Sequence, residues 1–226
     1  MDYTAFKKQY AARGSDIARQ VFLDNQDAMR IKKEKTAVAN LDKILSAVFS
    51  ITYKKGFQAM SMRDLSLKTG MSLGSLYAYF PGKEQLLAII QAQGRAMVKE
   101  TLDRFAQEQE DPLEKLRAVI KAHIFLSELF RPWFYFTFME ARNLKPAGFE
   151  AVRAMEEHTQ KILTDILEQG EAKGGFKPGN HDLTACMIKA LQQEWYLKRW
   201  KYTRQKISVD QFTAHVLEMV EGFCCK

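Results

Sequence analysis

The chain has 226 residues, enough for one good-sized core or for a small domain beside a larger one. Its 46% hydrophobic share is ordinary for a globular protein, no stretch approaches the ~18 apolar residues of a membrane span, and the start MDYTAFKKQY has no secretory core, so a cytosolic protein without a membrane partner is expected. The formal charge of +7 sits at one end: residues 1–83 hold 14 Lys and Arg against 7 Asp and Glu, while residues 84–226 hold 20 of each.

In chain order, residues 1–14 are polar and end in Arg13-Gly14, which predicts a mobile stretch or an arm. Ser15-Asp16 then reads as a helix start, with Ile17, Val21 and Phe22 at helical spacing. Residues 30–35, Arg-Ile-Lys-Lys-Glu-Lys, are basic. Residues 15–35 are either a surface helix packed on its own domain or on a neighbour, or an arm that adds phosphate or minor-groove contacts; the first suits 15–29, the second 30–35. A helix over 37–55 carries Leu41, Ile44, Leu45, Val48, Phe49 and Thr52 as a wide apolar stripe and ends at Gly56.

Residues 61–83, SMRDLSLKTGMSLGSLYAYFPGK, predict two short helices across a glycine turn. Ser61 caps the first, with Asp64 as its capping-box partner. Leu65 and Leu67 supply apolar contacts, and Gly70 stops the helix because glycine takes the left-handed conformation at little cost. Ser72 caps the second helix, Leu76 and Phe80 face inward, and Pro81-Gly82 closes it. Such a pair is a helix-turn-helix, whose second helix can enter the major groove of DNA. The outer face of that helix offers Leu73, Gly74, Ser75, Tyr77 and Tyr79, with no carboxylate to repel phosphate.

From Lys83 onward the pattern is helical. A segment over about 83–109 carries Leu86, Leu87, Ile90 and Met97. Asp111-Pro112 starts the next helix, with Leu116, Ile120 and Ile124 inside, and Arg131-Pro132 breaks it. Residues 132–143 are aromatic. Helices over about 149–172, 182–202 and 208–223 follow. The last two carry Leu183, Met187, Leu191 and Trp195, then Phe212, Val216, Met219 and Phe223, as stripes that either cover the core or meet a second copy. No segment alternates with period two, so the fold class is all-α.

The run Gly70-Met71-Ser72-Leu73-Gly74-Ser75-Leu76-Tyr77-Ala78-Tyr79-Phe80-Pro81-Gly82-Lys83-Glu84, with Gly56 to Leu65 ahead of it, resembles the helix-turn-helix signature of the TetR family of bacterial transcription regulators. The resemblance covers about residues 37–90. Two departures stand out: Leu73 replaces a longer polar or basic residue, and residues 1–35 form an extension longer than the family usually carries. The resemblance implies a three-helix DNA-binding domain over 36–82 and a helical ligand-binding and dimerisation domain over 83–226, behind an N-terminal extension, 1–35. It implies double-stranded DNA, a small-molecule effector and a second copy of the chain as partners.

Candidate DNA contacts are Ser61, Ser72, Leu73, Gly74, Ser75, Tyr77, Tyr79 and Lys83. Lys83 is a point charge suited to phosphate, and tyrosine can give its hydroxyl to phosphate and its ring to thymine methyls. The resemblance further implies an effector pocket in the larger domain, whose candidate lining is His123, Phe134, Phe138, Met155, His158 and Trp195. The competing reading is a filled core without an effector, since aromatic and methionine stripes usually are core. A helical enzyme or carrier with a basic end is a third possibility. Against it, the chain has no phosphate-binding glycine loop, nucleophile elbow or His-Glu metal spacing, and its three cysteines, expected as reduced thiols, show no metal spacing. No cofactor is expected. The function expected is a repressor that binds a palindromic operator as a dimer and is released by a hydrophobic or aromatic small molecule.

Overall fold

The structure, a computed structural model, describes residues 1–10 and 13–226. Ala11 and Ala12, within the predicted N-terminal arm, lie outside the described residues, as do the side chains of residues 13–16. Helices α1 (Tyr3–Tyr10), α2 (Arg13–Asn25), α3 (Glu34–Lys55), α4 (Met62–Thr69), α5 (Leu73–Tyr77), α6 (Lys83–Gln107), α7 (Pro112–Leu129) and α8 (Arg131–Glu140) lead to a 3-10 turn at Ala141–Asn143. Helices α9 (Pro146–Ala172), α10 (His181–Leu197), α11 (Arg199–Arg204) and α12 (Val209–Cys224) complete the chain. The expected all-α class holds; among the described residues, extended pairing is limited to an isolated antiparallel bridge between Phe176 and Cys225.

Three local expectations need correction. The polar N-terminus is helical as α1, because Phe6 and Tyr10 are buried and hold it down. Helix α2 begins at Arg13 rather than at Ser15. The single helix expected over 182–202 is two, α10 and α11, with the break at Lys198.

The chain divides into two compact units. The first comprises Lys8–Gly94 and Pro132–Phe149. Its core is the predicted stripe of α3, with Leu41, Ile44, Leu45 and Val48 all buried, joined by Val21 and Phe22 of α2. Helix α8 adds aromatic weight: Trp133 and Phe136 lie 5.4 and 5.5 Å from the Phe49 ring, and Phe136 meets Phe57 edge-on at 5.7 Å. Aromatic pairs of this kind add about 0.5–1.5 kcal/mol beyond their burial. The close packing depends on Gly94, where a Cβ would fall 2.4 Å from the Trp133 indole nitrogen.

The second unit comprises Met1–Lys7, Arg95–Arg131 and Glu150–Lys226. Helix α7 lies at its centre. Asp111 caps it by accepting from the N–H groups of Leu113 and Glu114, and Pro112 occupies its first turn. Leu116, Ile120 and Ile124 are fully buried, and α10 and α12 pack against the helix. Arg117 reaches from α7 to α12 with a two-pronged bond to Glu221, at 2.8 and 2.6 Å. Helix α1 seals this unit: Phe6 lies 6.2 Å from Phe105 and 5.7 Å from Phe125, and the Tyr3 amide donates to Asp210 at 2.9 Å.

Candidate functional site

The helix-turn-helix is built as the sequence predicts. Ser61 accepts the Asp64 amide at 3.2 Å, and Asp64 accepts the Ser61 amide at 2.7 Å, which completes a capping box. The Ser61 hydroxyl donates its proton to Asp64 at 2.7 Å, and Lys55 adds an ion pair at 2.9 Å. The Ser61 hydroxyl first, and Lys55 after it, hold the Asp64 carboxyl far below its ordinary value. Gly70 ends α4 in the left-handed conformation, φ 72°. Ser72 caps α5 by accepting the Ser75 amide at 3.1 Å, and the two hydroxyls lie 2.9 Å apart.

The expected reading face splits in two. Gly74, Ser75 and Tyr77 are exposed, Tyr77 by 48%, and Leu73 is half-buried. Around Gly74 the nearest atom a Cβ would meet is the Ser72 hydroxyl at 3.9 Å, so the backbone lies open to close approach. Tyr79 departs from the expectation. Its ring is 3% exposed, and its hydroxyl accepts from the Asn40 amide at 2.8 Å. Helix α5 ends at Tyr77, so the helical spacing that put Tyr79 outside does not extend to it, and the chain turns the ring inward. Leu67 is corrected in the opposite sense: expected in the core of α4, it is 84% exposed, and Leu65 alone buries the inner face.

Lys83 is half-buried and committed. Its ammonium donates to the carbonyls of Gln58 at 2.8 Å and Met60 at 3.3 Å, and lies 5.6 Å from the Phe57 ring centre. From the other side, the buried Glu140 carboxylate accepts the Phe57 amide at 3.1 Å and the Asn143 side-chain amide. The loop between α3 and α4 is thereby held at both its N–H and C=O groups. Sequence reading assigned neither role, because no short motif links residue 140 to residue 57.

The effector candidates fall in different units. Phe134 is buried in the first unit, while Phe138 of the same unit is 44% exposed and does not take the interior position expected of it. The other four belong to the second unit. His123 is buried on α7; burial, and then the charge of Lys189, lower its pKa to about 3, so its ring is neutral. Met155 is partly buried on α9. His158 bonds Asp103 at 2.8 Å. Trp195 is fully buried, its indole N–H donates to Glu128 at 3.0 Å, and the Arg199 guanidinium covers its ring at 4.4 Å. Two further buried polar groups escaped the sequence reading. Lys189 pairs with Glu156 and the Thr159 hydroxyl, and Gln192, 2% exposed, has no partner for its amide nitrogen among the described residues. Their signal was the helical spacing of Ile188, Lys189, Gln192 and Trp195, one inward stripe of α10.

Two family models match the chain. Residues 44–90 match "Bacterial regulatory proteins, tetR family", and residues 109–220 match "Tetracyclin repressor-like, C-terminal domain". The chain belongs to the TetR family. Among relatives, the transcriptional repressor KstR2 of Mycolicibacterium smegmatis is 25% identical over 184 residues, 80% of this chain and 88% of that one. The structure of AibR in complex with isovaleryl coenzyme A and operator DNA superposes with a TM-score of 0.69 at 20% identity, covering 80% of this chain and 95% of that one. FadR of Bacillus subtilis in complex with stearoyl-CoA gives 0.62 at 23% identity, over 79% and 96%. This TetR-family chain is therefore a DNA-binding transcriptional regulator, with α4 and α5 as its helix-turn-helix. No helix among the described residues is long and apolar enough to cross a membrane.

Proposed function

We propose that the chain is a cytoplasmic repressor that grips a palindromic operator as a homodimer and releases it when a hydrophobic small molecule, an acyl thioester of coenzyme A foremost, occupies the second unit. The DNA half rests on one observation: a doubly capped α4–α5 pair whose outward groups are Gly74, Ser75 and Tyr77, with Ser61, Ser72, Leu73 and Lys83 at its margins. A second copy is supported by Leu183 and Met187 on α10 and Met219 and Phe223 on α12. Each pair is four residues apart, and all four are more than half exposed, surface that a two-fold mate would cover. The thioester is supported by the ligands named for AibR and FadR, and by the buried polar groups His123, Lys189 and Gln192, which suit the polar part of a mainly apolar ligand.

The test is selection of bound genomic fragments by the purified chain, followed by titration of the recovered duplex with isovaleryl- and stearoyl-coenzyme A. A shared palindrome released by a thioester is the expected result. Absence of any enriched sequence overturns the repressor; an enriched palindrome that neither thioester releases overturns the thioester and favours the filled core.

A further inference from the structure

The basic segment Arg30–Lys35 leads into α3 and includes its first two residues, outside the helix-turn-helix and outside both matched family regions. Both its flanks are anchored: Met29 is 1% exposed and Ala37 is fully buried. The Arg30 amide donates to the carbonyl of Ala78, the residue that caps the C-terminal end of α5, at 2.9 Å. Further along, on α3, Asn40 bonds the Tyr79 hydroxyl at 2.8 Å. Two bonds therefore fix this part of the chain to the residues that directly follow the reading helix.

The side chains of this segment are arranged for an anion. Arg30, Lys32, Lys33 and Lys35 are all exposed. The one carboxylate among them, Glu34, pairs with Arg19 of α2 at 2.7 Å, which partly offsets its charge. Lys32 gives one proton to the Gln26 carbonyl at 2.9 Å, and no ion pair found among the described residues engages Arg30, Lys33 or Lys35. A solvated basic face elsewhere on the molecule would mean little. This one is pinned beside the C-terminal end of α5, the second helix of the helix-turn-helix.

We propose that Arg30, Lys33 and Lys35 form a second phosphate-binding strip, which grips duplex DNA beside the C-terminal end of α5 and extends each protomer's footprint past the base-reading contacts. The strip rests on the DNA-binding reading of α5 but reads no sequence itself: it adds affinity on any duplex through counterion release.

The full-length protein and the triple variant Arg30→Ala, Lys33→Ala, Lys35→Ala are compared on the selected operator and on a scrambled duplex of equal length. Affinity is followed by fluorescence anisotropy from 50 to 200 mM salt. The variant is expected to weaken on both duplexes alike, and its salt slope to fall by about 0.9 for each phosphate left without its cation, so about 2.7 per protomer. The charge-preserving variant Arg30→Lys, Lys33→Arg, Lys35→Arg is expected to keep the wild-type slope, which separates charge from folding. An alanine variant with unchanged slope and affinity on both duplexes overturns the strip. A wild type that prefers neither duplex overturns base reading by α5 instead, and the slope on the scrambled duplex still decides the strip.

Discussion

The carboxylate of Glu140, at the end of α8, accepts the backbone N–H of Phe57, in the loop that leads into α4, at 3.1 Å. Both groups are buried. A buried amide that loses its acceptor costs about 1–3 kcal/mol. Glu140→Ala is therefore expected to lower the thermal midpoint and to weaken operator binding several-fold by loosening the entry to α4. Glu140→Gln keeps a carbonyl acceptor, and Asn143 can turn its amide to match, so this variant should bind almost as the wild type does. Equal losses in both variants would show that the charge of Glu140, and not its bond to Phe57, holds the loop.

Lys83 joins the same loop from the opposite side, through the carbonyls of Gln58 and Met60. One of its three protons remains for a phosphate. Lys83→Ala is expected to weaken binding to every duplex and to lower the salt slope by about one. A loss of affinity at constant slope would assign Lys83 to loop support alone.

Ser61 serves the first turn of α4 twice, as acceptor for the Asp64 amide and as donor to its carboxylate. Ser61→Ala should cost about 1 kcal/mol in urea unfolding. Ser61→Asp keeps an acceptor but faces Asp64, and should lie below Ser61→Ala. The reverse order would mean that Lys55 neutralises both carboxylates.

His123 gives the molecule a pH dependence with a definite sign. Its ring has a pKa of about 3 when folded against 6.5 as the ordinary value, with burial the main cause. Between those two values the unfolded chain holds more protons on this residue than the folded one. Stability is complete above pH 6.5 and is lost as the pH falls, at about 1.4 kcal/mol per unit at most. His123→Gln should remove this dependence, so the gap between variant and wild type should shift by about 2 kcal/mol from pH 6.5 to pH 5 in denaturant titrations. A constant gap over that range would mean that the ring takes up its proton in the folded state.

The sequence carried the helices well because their signals are local. Ser61 with Asp64, Gly70, Ser72, and Asp111 with Pro112 all work within one helical turn, and each stands where its spacing predicted. What it did not carry is tertiary. Tyr79 turns inward because α5 stops at Tyr77 and Asn40, thirty-nine positions earlier, offers its hydroxyl a donor. Leu67 looked like core by composition but falls on the outer side of an eight-residue helix with room for one buried leucine. The N-terminal residues looked polar enough to be free, yet buried Phe6 and Tyr10, with the Tyr3 amide bonded to Asp210, anchor a helix there. Glu140 and Lys189 have partners far along the chain, which no local spacing announces; only the fold brings them an amide and a carboxylate to meet.

The split of the amino terminus between the units changes what a shortened product would be. Residues ahead of Lys8 belong with the unit that holds α7, α10 and α12, and those after it with the unit that reads DNA. A protease cut or a downstream initiation at Met29 would strip Phe6 from Phe105 and Phe125, yet leave Arg30 with its bond to Ala78. Such a product would also lose α2, and with it Val21 and Phe22 from the core built on α3, so truncation there would loosen both units at once.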